Sequence, residues 1–268
     1  MRRWSWLVSS LAFIAVLPDS ARSQVPGPET PAQIRKEFVL GQQLALELER
    51  KDGRIHDPAI VDCVQRIANR LAGATGGKAM DVRITLGSDR YAYLLPHGVL
   101  YISGALLERV ESEAEIAGLL AHQLAHLRQP LAPSQGPAGS SVLLEPACVL
   151  ASQAAPFRSV EDRREAELLA TKAAIETLRS AGYEPSAVLD LLSKLAYEHP
   201  AWAKAIVPED LLNLRSIVEI DVPPQAGYLI DSSQFAQLHA SVLEALGHAA
   251  RRRPSPRPTL VRTGSDFR

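Results

Sequence analysis

The stretch GLLAHQLAHL, Gly118–Leu127, sets two histidines four residues apart in an apolar run. An α-helix turns once every 3.6 residues, so this spacing stacks His122 and His126 on one helical face. Two imidazoles placed that way can share one zinc ion. Taken alone, the same spacing is met in helices whose histidines merely cap, pack or face solvent. The segments on either side therefore decide how it is read.

The helix carrying these histidines has a clear start. In SEAEIAGLLAHQLAHL, Ser112 and Glu115 form a capping box, and Pro130 stops the helix. Upstream, apolar residues recur at helical spacing from Ile34 to Glu49, and KDGR closes that helix through Gly53. Asp57-Pro58 opens a second helix, with Asp57 as N-cap and Pro58 at the first helical position. In DVRITLGS, Val82, Ile84 and Leu86 alternate with polar neighbours, the pattern of a half-buried strand. Two short β-like runs around Pro96-His97-Gly98 then predict a hairpin. Beyond Pro130, PLAPSQGPAGSS reads as a surface loop. EDRREAELLATKAAIETLRSAG is a helix ended by Gly182, PSAVLDLLSKLAYEH another ended before Pro200, and a last amphipathic helix runs from about Ser233 to Ala250.

The chain has 268 residues, enough for one globular domain with tails. A net charge of −1 gives no field that would steer a polyanion, so a nucleic-acid partner is not expected. Residues 1–23 read as a signal peptide: Arg2 and Arg3, an apolar run from Trp4 to Leu17, then Ala21-Arg22-Ser23 as a cleavage site. The run is too short to span a bilayer comfortably, so no stable membrane span is expected. The mature protein is expected to be exported, periplasmic or secreted. In an oxidising compartment Cys63 and Cys148 can pair, or stay as two separate buried thiols. The expected organisation is a signal peptide (1–23), a flexible lead (24–33), one main domain (34–230), a C-terminal helix (231–250) and a disordered basic tail (251–268).

Four segments together carry a resemblance. AYLLPHGVLYI, GALL, EAEIAGLLAHQLAH and AGYEP (Ala181–Pro185) resemble, in the same order, the hairpin, helix starts and motif helix of the HtpX and CAAX prenyl protease family of zinc metallopeptidases, particularly its exported bacterial branch. The likeness runs from roughly Arg35 to Pro200. It implies an α+β, zincin-like fold, mostly helical with a small sheet or hairpin beside the active-site helix. It also implies a zinc cofactor and polypeptide substrates or clients.

Position by position, the resemblance places His122 and His126 at the first two zinc ligands. Gln123 stands where the family has its catalytic glutamate, the general base. The family's third ligand is the second glutamate of an E-x-E-A-D stretch. Counting back from AGYEP puts Leu169 at that glutamate and Thr171 at the aspartate, with Glu167, Ala170 and Ala174 on the family's first glutamate, alanine and later small residue. A second register puts Glu167 at the ligand but breaks the helix phase with AGYEP. Glu165, one turn before Leu169, shares its side; Glu165 and Glu167 can equally form the solvated face of a helix. The family often has a His-Pro near its active site, here His199-Pro200, so His199 is a further candidate ligand. Pro96, His97, Gly98 and Leu100 fall at the family's substrate cleft, His97 replacing a glycine. The expected function is a polypeptide-binding or chaperone-like module with a weakened zinc site and impaired catalysis. A working zinc metalloendopeptidase in envelope protein quality control is the alternative.

Overall fold

The computed structural model describes residues 31–77, 80–95, 99–128, 160–198, 206–221 and 227–252. The expected signal peptide, the hairpin tip with Pro96, His97 and Gly98, Cys148, the loop after Pro130, His199-Pro200 and the tail from residue 253 lie outside them.

Eight helices and three strands are described: α1 (Pro31–Asp52), α2 (Pro58–Ala74), β1 (Asp81–Thr85), β2 (Ala92–Leu95), β3 (Val99–Ser103), α3 (Gly104–Leu107), α4 (Glu113–Arg128), α5 (Val160–Ala181), α6 (Ala187–Glu198), α7 (Pro208–Asp221) and α8 (Phe235–Arg252). Among the described residues the chain is mostly helical with one small sheet, an α+β arrangement consistent with a zincin-like fold. Its helix ends follow local chemistry. Asp57 caps α2, its side chain accepting from the Ala59 amide at 2.8 Å. At α4 the Glu115 amide donates to Ser112 Oγ (3.1 Å), while the Glu115 carboxylate accepts from the Glu111 amide (2.8 Å), so two otherwise unpaired donors are satisfied. Gly182 leaves α5 with φ +74°, the left-handed region open to glycine.

The sheet has the order β1-β3-β2, with β3 parallel to β1 and antiparallel to β2. β2 is thus an edge strand, and its outer side pairs with no described strand. Helix α2 links the sheet to the helices, packing on β1 and on α4, α5 and α8. α4 is the centre of the helical layer, gripped by α2, α5 and α6. From Ala114 to Ala125 its residues are buried on every side, as an apolar helix all round should be. No described helix is long and apolar enough to cross a membrane.

Helix α6 can approach α4 closely because the residue facing it, Gly118, has no side chain. A Cβ added at Gly118 would lie 2.9 Å from Val188 Cα and 3.0 Å from Val188 N, and backbone cannot move aside as a flexible side chain can. Alanine gains about 1 kcal/mol of helix propensity over glycine, whereas overpacking costs about 1–3 kcal/mol. The clash should win. Gly118→Ala is expected to lower the unfolding free energy in urea titration, and an unchanged or raised midpoint would show that α4 and α6 separate freely.

Candidate metal centre

α4 brings His122 and His126 to one face, as the four-residue spacing requires, and α5 packs directly against that face. Burial leaves the two imidazoles 0% and 3% exposed, with ring centroids 4.8 Å apart and the rings at 75°. Across from them, Glu167 of α5 is 3% exposed. Its Oε2 lies 3.3 Å from His126 Nε2 and 3.5 Å from His122 Nε2. The contact to His126 is a long hydrogen bond. The one to His122 lacks hydrogen-bond geometry, and neither ring nitrogen of His122 has a hydrogen-bond partner among the described residues.

An orphaned, fully buried imidazole is costly, since burying an unpaired polar group costs about 1–3 kcal/mol on protein mutational scales. A cation would account for it. With metal–ligand bonds of about 2.0–2.1 Å, tetrahedral ligand atoms stand about 3.3 Å apart. The two measured spacings of 3.3 and 3.5 Å match that edge, and all three donor atoms lie within 4.8 Å of one another. Burial, and then the neighbouring His126, push the His122 pKa down to about 4 against the pull of Glu167. His122 is therefore neutral at pH 7, the form that offers a lone pair to a metal. Two imidazoles and one carboxylate form a zinc-type donor set that leaves a fourth position open.

The α5 face explains why Glu167 and not Leu169 reaches the histidines. Glu167, Ala170, Thr171, Ala174 and Leu178 form one buried stripe at helical spacing. Leu169 sits off that stripe and is 51% exposed, and Glu165 is exposed as well. The structure thus brings Glu167, and not Leu169 or Glu165, to the two histidines, and Glu167 is buried and not part of a solvated face. The stripe was visible in the sequence as Ala170, Ala174, Leu178 and Ala181. Extending it one turn back lands on Glu167. Thr171 Oγ donates to the Glu167 carbonyl at 2.8 Å, within the same helical segment.

Gln123 follows His122 on α4 and is 0% exposed. Its amide can donate or accept a hydrogen bond but cannot take up a proton at neutral pH. Leu100, expected at the substrate cleft, is a fully buried residue of β3 opposite Leu94 of β2. Cys63 is a buried thiol on α2 that accepts from Arg66 at 3.0 Å, and desolvation raises its pKa.

No curated protein matches the chain. Residues 57–130 match the model of peptidase family M48, a family of zinc metallopeptidases. The match begins at the cap of α2, takes in the sheet and both histidines of α4, and stops before α5. The central segment of this protein is metallopeptidase-like.

Proposed function

We propose that this protein is an exported, zinc-binding relative of the metalloendopeptidases with impaired catalysis, which works by holding extended polypeptide as a chaperone-like module. Gln123 is the observation that carries the reading. It occupies the buried position next to His122, where proton transfer from water would need a carboxylate. His122, His126 and Glu167 would hold the ion. Bound there, zinc would supply Lewis-acid polarisation of a carbonyl and lower the pKa of water. Gln123 can orient a polar group but cannot accept its proton, and a missing general base typically costs about a hundred- to ten-thousand-fold in rate.

The likeness to peptidases, which act on polypeptides, supports the binding role. β2 pairs with no described strand on its outer side, but its residues are buried, so a peptide would add there through main-chain hydrogen bonds only once that cover moves aside. The leader-like N-terminus and the resemblance to the exported branch of the HtpX and CAAX proteases support export. The complete three-donor set also favours the second reading, a working zinc metalloendopeptidase in envelope quality control that uses another group as base.

Two experiments separate these readings. Metal analysis of purified protein should find about one zinc per chain. Glu167→Ala should weaken zinc binding beyond the roughly 10–100-fold that loss of an outer-shell partner costs. Leu169→Glu, at the surface, should leave binding unchanged. Tighter binding by Leu169→Glu, with no loss on Glu167→Ala, would return the third ligand to position 169.

Casein cleavage tests the base. The unmodified protein should show little hydrolysis, with or without added zinc. Because Glu167 completes the donor set, Gln123→Glu alone should raise chelator-sensitive cleavage by about a hundredfold or more. Robust, chelator-sensitive cleavage by the unmodified protein would establish the working peptidase instead.

A further inference from the structure

Glu167 reaches the histidines of α4 and also lines a small cavity between α5 and the start of α7. Arg164, Glu167, Leu168 and Thr171, at helical spacing on α5, meet Ile206, Val207, Asp210 and Leu211 across a small cavity. The space there for the centre of a water is about 10 Å³, room for a single molecule.

The contact that spans this seam is ionic. Arg164 Nε donates to Asp210 Oδ2 at 2.7 Å and Arg164 Nη2 donates to Asp210 Oδ1 at 2.9 Å, the two-pronged fit of a guanidinium on a carboxylate. Both residues are reachable from water, with side chains 47% and 17% exposed. Elsewhere α7 packs mainly on α6, where Arg215 bonds Asp190 at 2.6 Å. The first turn of α7 is therefore held to the ligand-bearing helix by an exposed clasp and a few apolar side chains.

We propose that Arg164 and Asp210 form a latch that keeps the first turn of α7 closed over Glu167, and that its release opens a route from solvent to the His122–His126–Glu167 cluster. The latch rests on the metal-centre reading for its metal arm only, because access to the buried imidazoles can be read without metal. An exposed pair contributes little, and a bidentate one stands at the upper end of that range. Its loss should raise the open population about fivefold.

The test uses the full chain as wild type, Arg164→Gln, Asp210→Asn and the exchanged pair Arg164→Asp/Asp210→Arg, each checked by thermal melting. In metal-free protein, diethyl pyrocarbonate labels accessible imidazoles, and mass spectrometry reads each site. Exposed His56 and His248 serve as internal references. His122 and His126 should react slowly in wild type and about fivefold faster, relative to the references, in Arg164→Gln and Asp210→Asn. The exchanged pair should move back toward wild type. In zinc-loaded protein, a chromogenic chelator should strip the ion about fivefold faster from Arg164→Gln at unchanged stoichiometry. Equal labelling of His122 and His126 in wild type and both single variants would overturn the latch, as would wild-type labelling as fast as His56. Faster labelling in a protein that takes up no zinc would keep the latch and sink the metal reading. Full zinc uptake with unaltered labelling and stripping would do the reverse.

Discussion

The centre of this molecule is a contradiction held in place by packing. Two imidazoles and a carboxylate sit between α4 and α5 with at most 3% of any of them exposed. In apolar surroundings such groups destabilise the fold unless they are paired. Among the described residues, His126 has one long hydrogen bond, to Glu167, and the ring nitrogens of His122 have none. The surrounding helices absorb this cost by burying the apolar remainder of α4 against α2, α5 and α6. The phase of α5 follows from the same demand. Its small residues Ala170 and Ala174 let the helix come close enough for Glu167 to reach across.

Much of this was legible in the residues because it is local. The cap at Asp57, the box at Ser112 and Glu115, the alternation through Val82 and Ile84, and the stop at Gly182 each depend on a few neighbours, and the structure has elements there. The pair His122 and His126 is likewise fixed by helix geometry. The third donor was not, because it lies on another helix whose register against α4 is a tertiary fact. The helical stripe of α5 points to Glu167, whereas the spacing from AGYEP points to Leu169, and packing against α4 decides between them.

Helix α7 was missed outright. Pro208 at its first position and Glu209 and Asp210 in its first turn are good start signals. Its apolar residues, however, face both ways: Leu211, Leu214 and Val218 are buried, while Leu212, Ile217 and Ile220 are exposed. A helix without one clean apolar face gives periodicity little to detect.

Gln123 also bears on stability. A glutamate there would add a second carboxylate to a buried helix that already faces Glu167. Burial favours the neutral acid, and like charges raise each other's affinity for protons. In the metal-free fold, one of the two would have to hold a proton or meet an added electrostatic cost. The neutral amide, nearly the same shape, removes that repulsion while keeping a polar group beside His122. Active sites commonly trade stability for function, and their stability often rises when the reacting group is lost. Gln123 thus adds no further ionisable carboxylate to this buried region, in which His122, His126 and Glu167 lie together.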